Sequence, residues 1–279
     1  MLKNLRFYLT IALGAILYLF LLFKFLKEIQ NTDFSPLFSI INLILIILCF
    51  IITILLIFSR ALFLKKIFKI FNVQVDLNWS IDSWLISVAT GVFTAGISMA
   101  ILIFDKFKKL NKSNSELFLL IFLYYFLCIF PVFFMLFIFF FNKITLVLFL
   151  IFFIILLLLM RILQILLNGK TFLKEFFYAI LISFISEIIY FLIFWISFNI
   201  VGLSLNPIFI LKTFVIAQLS STISLTSSGL GITEPLTIYY ISSLYNLNMA
   251  KIILFIFLYR FFTFWIPVFW GVFILIKRK

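Results

Sequence analysis

Apolar residues run along this chain in long uninterrupted stretches separated by short polar clusters. A helix needs about 20 apolar residues to cross the hydrocarbon core of a bilayer. Six segments meet that length: 5–26, 37–59, 117–141, 144–167, 178–200 and 251–276. Two further segments, 84–104 and 208–245, are apolar but interrupted. The first carries Ser87, Thr90, Gly91, Thr94, Gly96 and Ser98; the second carries Gln218, Ser220, Ser221, Ser224, Thr226 and the run Ser227-Ser228-Gly229-Leu230-Gly231. Gly and hydroxyl residues break helices or let them pack closely. The pattern therefore predicts six full spans and two broken segments.

The stretch 60–71 reads as a different kind of helix. On a helical wheel Lys65, Lys66 and Lys69 share one face, while Phe63, Leu64, Ile67, Phe68 and Phe71 share the other. That amphipathic pattern predicts an interfacial helix lying on an anionic leaflet. At the N-terminus Lys3 and Arg6 precede the run 5–26, and no small-residue cleavage site follows it, so a retained first span is expected.

Composition agrees with the spans. Of the 279 residues 66% are hydrophobic and 11% charged, against about 25% charged in soluble domains. The 43 Phe residues add bulk and no chemistry. The chain has no His, which removes the commonest metal ligand and the usual general base near neutral pH. Cys49 and Cys128 sit inside apolar runs and read as small hydrophobes. There is no CxxC or HExxH spacing. No metal, cofactor or catalytic residue is expected, and a basic soluble domain for nucleic acid is lacking.

Charge then orients the spans. If both broken segments enter and leave on one side, most of the 22 basic residues fall on a single face, including Arg60, Lys65, Lys66, Lys69, Lys106, Lys108, Lys109, Lys112, Lys170 and Lys174. That face is cytoplasmic by the positive-inside rule, and both termini lie on it. A full crossing by 84–104 would put Lys106–Lys112 outside. The expected architecture is an all-α polytopic helical membrane protein, one domain over 1–279, with about six spans and two re-entrant broken segments. Residues 1–141 and 142–279 each give span, span, broken segment, span. Each half crosses an odd number of times, so the second is inverted relative to the first, an order found in transporters. Irregular backbone at membrane depth needs cover by protein or water, so a polar cavity between the two breaks is expected.

Four intramembrane charges stand out as functional candidates: Arg161, Glu187, Glu234 and Arg260. Glu187 shares a stripe with Ser183 and Tyr190. Thr233-Glu234-Pro235 reads as a helix start, with Thr233 or Glu234 able to cap free N–H groups. The pairs expected are Glu187–Arg161 and Glu234–Arg260, either as packing pairs or as part of a site for a charged headgroup. A helix N-terminus at membrane depth favours an anion such as phosphate.

Residues Ser227-Ser228-Gly229-Leu230-Gly231-Ile232-Thr233-Glu234, then Arg260 and Gly271, resemble the flippase-like membrane domain of the lysylphosphatidylglycerol synthase family. Its pattern is roughly Pro-Gly-Gly-Leu-Gly-Val-x-Glu followed by an Arg one helix later. Gly229, Leu230, Gly231, Glu234 and Arg260 match; Ser227 and Ser228 stand where Pro and the first Gly are usual. Many members carry a Pro-Gly break in the first half, where this chain has Thr94-Ala95-Gly96-Ile97-Ser98. Synthase members move an aminoacylated phospholipid between leaflets and carry a soluble aminoacyl-transferase domain after the membrane part. The chain stops at Lys279, so the resemblance implies translocation without lipid aminoacylation, and no enzyme activity.

The resemblance thus implies a flippase-like protein of the cell membrane that moves a phospholipid or lipid-linked headgroup between leaflets. Ser227, Ser228, Gly229, Gly231, Glu234, Arg260, Glu187 and Arg161 are the candidate substrate-binding residues. Expected partners are membrane lipids: an anionic or aminoacylated phospholipid, or a polyprenyl-linked lipid. A homo-oligomer stays open. The alternative is a secondary transporter of a small polar or anionic solute. A lipid-modifying enzyme fits less well, because no paired Asp motif for Mg²⁺ is present.

Overall fold

The computed structural model describes residues 39–94, 98–108, 113–167, 171–203, 205–223, 233–245 and 247–277. Among these, all regular elements are helices: α1 (Ile40–Ile70), α2 (Leu77–Thr94), α3 (Ser98–Lys108), α4 (Asn114–Phe139), α5 (Lys143–Leu167), α6 (Thr171–Ile200), α7 (Pro207–Ile223), α8 (Thr233–Leu244), α9 (Met249–Arg260), a π-helical turn (Phe261–Trp265) and α10 (Ile266–Lys277). Five stretches are long and apolar enough to cross a membrane: Ile40–Ile70, Asn114–Phe139, Lys143–Ile165, Phe172–Ile200 and Met249–Lys277. The chain is a multi-pass all-α membrane protein. The expected first span, 5–26, lies outside the described residues.

Helices α1 and α6 form the spine and run antiparallel. At one end the Asn42 side-chain amide donates to the Ile200 carbonyl at 3.2 Å. Midway, the Ser186 hydroxyl donates to Ser59 Oγ at 3.0 Å. At the other end Glu175 takes Lys66 and Lys69, each at 2.7 Å. Lys106 joins that end, its ammonium 5.2 Å from the Trp79 ring. The opposite end holds Lys212 over the Phe140 ring and Lys251 beside Gly202. One end of the molecule is therefore much richer in lysine.

The stretch 60–71 is not a separate interfacial helix. It continues α1, and a 31-residue helix is about 46 Å long, well beyond a 30 Å hydrocarbon core. Its apolar face is buried in protein, not laid on a leaflet: Phe63, Leu64, Ile67, Phe68 and Phe71 are fully covered. Phe68 packs edge-on against Trp79 and Phe107. The periodicity was that of a core helix with a solvated Lys face, and only its surroundings could say which surface covers it.

Both interrupted segments fold back on themselves. Ser98 Oγ donates to the Ser87 carbonyl at 2.7 Å. Eleven residues of straight helix would hold these groups about 16 Å apart, so α2 and α3 form a hairpin. In the second segment the Phe209 ring, in the first turn of α7, stacks on Tyr240 at 5.7 Å and meets Tyr245 at 4.4 Å. The end of α8 has thus returned to the start of α7. Residues 95–97 and 224–232, which include Gly96 and the run Ser227-Ser228-Gly229-Leu230-Gly231, lie outside the described residues.

Helix ends repeat along the chain. Helix α1 closes with the Val73 N–H bonded to the Phe68 carbonyl and Asn72 at a φ of 55°. Helix α6 closes the same way, with Leu203 bonded to Phe198 and Gly202 at a φ of 67°. From Phe68 to Phe198, and from the start of α2 at 77 to that of α7 at 207, the shift is 130 residues. After the breaks, α3 and α8 start at 98 and 233, and the caps Ser113 and Asn248 precede α4 and α9, a shift of 135.

Two apolar cores result. One gathers the Lys-rich end of α1 with α2, α3, α4 and the start of α6. The other gathers the opposite end of α1 with the end of α6, α7 and α9. The Phe residues pack rather than merely fill: Phe133 stacks on Phe152 at 3.9 Å and Phe137 on Phe149 at 4.6 Å, zipping α4 to α5.

Candidate functional site: two buried ion pairs

The first centre lies where the second hairpin meets the last span. Helix α8 opens at Thr233, with Glu234 in its first turn and Pro235 next, as the Thr-Glu-Pro sequence predicts. Glu234 Oε1 accepts from Arg260 Nε at 2.8 Å, and the two residues are 4% and 6% exposed. Arg260 ends α9, about 16 Å along the 29-residue stretch Met249–Lys277 and so near its middle. The pairing uses only the Nε side of the guanidinium, and Arg260 Nη2 is buried with no hydrogen-bond partner. The Thr233 hydroxyl is likewise buried and unpartnered, so Thr233 does not serve as a side-chain cap.

Local sequence explains why the chain widens here. Pro267 has no N–H, and its ring would collide with the Thr263 carbonyl four residues back. The helix accommodates it in the π turn, where the Ile266 N–H reaches the Phe261 carbonyl. That turn follows Arg260 directly. Tyr259, the preceding residue, accepts from Gln218 of α7 at 3.1 Å, which ties the first arm of the hairpin to the same helix.

The second centre lies midway along the α1–α6 spine, between the two cores. Glu187 Oε1 accepts from Arg60 Nη2 at 2.6 Å. The same guanidinium reaches Cys128 Sγ of α4 at 3.8 Å and stands 5.0 Å from the Tyr190 ring. Glu187 Oε2 is buried with no partner. Ser183, on the same face of α6, donates to the Leu127 carbonyl at 2.6 Å.

This corrects the expected pairing of Glu187 with Arg161. Arg161 sits on an exposed face of α5, and its hydrogen bond is to Gln164 at 3.5 Å. Arg60 is also not a loop residue; it is buried inside α1. The signal that could have found it is the demand of Glu187 for a cation at equal depth, together with apolar periodicity continuing past residue 60. Ser227, Ser228, Gly229 and Gly231 lie outside the described residues. Among the described residues no cluster of three or more Cys, Asp or Glu side chains forms a cation site.

A family model described as the lysylphosphatidylglycerol synthase TM region matches residues 83–271. That stretch contains most of the first hairpin, the helices of the second, Glu187, Glu234 and Arg260. No curated protein matches the chain.

Proposed function

Since the chain belongs to the lysylphosphatidylglycerol synthase transmembrane-region family, we propose that it moves a phospholipid or lipid-linked headgroup between the two leaflets. The observation that carries this reading is Arg260. A buried arginine at mid-span that keeps an unused N–H is equipped to take an anionic headgroup without first breaking its bond to Glu234. A charge at this depth is costly unless it is paired or functional, and Arg260 is paired through Nε alone. The Ser227 and Ser228 hydroxyls and the backbone at Gly229 and Gly231 would add donors around a phosphate. Glu234 would hold the guanidinium in place and meet any amino group on the headgroup. Acyl tails would stay in the bilayer while the headgroup passes between the hairpins.

The repeated helix ends support two inverted halves, 1–141 and 142–279. Equivalent helices α1 and α6 meet antiparallel, and each half supplies one hairpin, as alternating access requires. The Lys-rich end supports a cytoplasmic placement for that face, and with it cytoplasmic termini in the cell membrane. The partners would be anionic or aminoacylated phospholipids or polyprenyl-linked lipids.

The test is translocation of a fluorescent phosphatidylglycerol in proteoliposomes, read by dithionite quenching of the outer leaflet. Arg260→Ala is expected to abolish protein-dependent transfer, and Glu234→Gln to slow it strongly. Parental rates in both variants would overturn the assigned roles.

A further inference from the structure

We propose that Glu187 is a proton-binding site that couples proton uptake to movement of the two halves against each other. The proposal rests on the translocation reading for what is driven, but the site itself stands on separate observations.

The centre is sealed. Glu187 is 3% exposed and Arg60 7%, and Ser183 and Ser186 beside them are fully buried. It lies inside the α1–α6 seam, whereas the equally buried Glu234–Arg260 pair lies at the start of α8 in the second hairpin. The ligand it can take is a proton. Arg60 engages one carboxylate oxygen, where a bidentate fork would satisfy both, and Oε2 is left buried without a donor. A half-satisfied buried carboxylate is a poor structural device, because its desolvation offsets much of the attraction to Arg60.

Groups facing the pair come from four helices. Arg60 belongs to α1, Tyr124 and Cys128 to α4, Tyr190 to α6 itself, and Tyr259 to α9. Cys128 and the Tyr190 ring already hold the guanidinium, so Arg60 keeps contacts when Glu187 is neutral. The proton comes from hydronium, which becomes water. It adds to Oε2, forming an O–H bond and discharging the carboxylate, and Arg60 keeps its charge. The Coulomb attraction joining α1 to α6 is then lost, and Arg60 is left as a buried cation that must move or find another anion.

Position makes this felt by both halves. Under the 130-residue shift Arg60 is the counterpart of Tyr190, and the two touch. Equivalent residues meet only where the halves cross. Tyr259, next to Arg260 in the chain, lies within electrostatic reach of Glu187 and Tyr190. A change at Glu187 is therefore adjacent to the helix that carries the Glu234–Arg260 pair.

The experiment uses the purified full chain in two measurements. Infrared difference spectra across a pH titration are expected to show a protonated-carboxyl band that grows on acidification, is lost in Glu187→Gln and returns in Glu187→Asp. In proteoliposomes an imposed proton gradient is expected to speed phosphatidylglycerol translocation severalfold in the parent and not at all in Glu187→Gln. Arg60→Met combined with Glu187→Leu removes both charges and is the folded control, expected to lack both the band and the gradient response. A parent without the band, or the same band in Glu187→Gln, overturns the proton site. Translocation indifferent to the gradient overturns the coupling. A titrating band in a parent that moves no lipid leaves the proton site standing and refutes the translocation reading instead.

Discussion

Removing Arg60 leaves Glu187 as a lone carboxylate between two apolar cores. The charged atoms are 2.6 Å apart, and the charge centres roughly 4 Å. At an effective dielectric of about 20 their attraction is on the order of 4 kcal/mol. Deleting one member of a buried pair typically costs about 3–5 kcal/mol, because the other charge stays buried. Arg60→Ala is therefore expected to destabilise the protein by about 3 kcal/mol or more. Glu187→Gln costs less, since Arg60 keeps Cys128 and Tyr190. The double variant should be well short of additive, with a coupling of about 2–3 kcal/mol. Arg161→Ala, on the exposed face of α5, should change stability by less than about 0.5 kcal/mol and show no coupling to Glu187. Unfolding in mixed micelles by increasing SDS, followed by helical ellipticity, measures all of these. Additive Arg60 and Glu187 effects, or coupling between Arg161 and Glu187, would refute the pairing.

Other expectations follow from geometry. With Cys49 and Cys128 first replaced, Ser87→Cys with Ser98→Cys should cross-link readily under mild oxidant, since the hydroxyl oxygens lie 3.3 Å apart. A straight helix would hold them too far apart for any disulfide, and failure to cross-link would remove the first hairpin. Gly271→Ala would set a Cβ 2.2 Å from the Leu85 carbonyl oxygen. The helices must part by about 1 Å, an overpacking cost of about 1–3 kcal/mol in the same unfolding assay; an unchanged midpoint would contradict the close crossing of α10 on α2. Gly202→Ala meets open space, with Lys251 Nζ nearest at 4.0 Å, but a φ of 67°. Its cost should be about 1 kcal/mol, from backbone strain alone.

Much of the fold was legible because a bilayer allows few solutions. Apolar runs of span length can only be helices, and runs broken by Ser and Gly need protein cover. Five spans and both hairpins follow from that, in the order the runs and their interruptions set, and charge asymmetry adds only an expected sidedness. The recurrence of helix ends at a fixed spacing was not legible, because it resides in caps of different chemistry: Asn72 and Gly202 do the same work in the left-handed region, as do Ser113 and Asn248 at helix starts. The Glu234–Arg260 pair was readable, since both residues sit at mid-depth in neighbouring segments that the family pattern links. Arg60 was not. A single arginine after an apolar run looks like the end of a span, and the positive-inside rule draws it toward the loop. Its partner is 127 residues away, and only the antiparallel packing of α1 on α6 brings them together. Arg161 was misassigned for the same reason: depth can be estimated from sequence, but the face a helix turns inward depends on its neighbours.

The most direct test of the central claim, that Arg260 and Glu234 serve a lipid headgroup, compares two substrates in the same proteoliposomes. Headgroup-labelled phosphatidylglycerol reports transfer between leaflets, and radiolabelled glycerol 3-phosphate reports entry of the free anion into the lumen. Protein-dependent lipid transfer that Arg260→Ala abolishes, with no accumulation of the free anion, is the predicted result. Accumulation of glycerol 3-phosphate without lipid transfer would contradict it and identify a solute transporter.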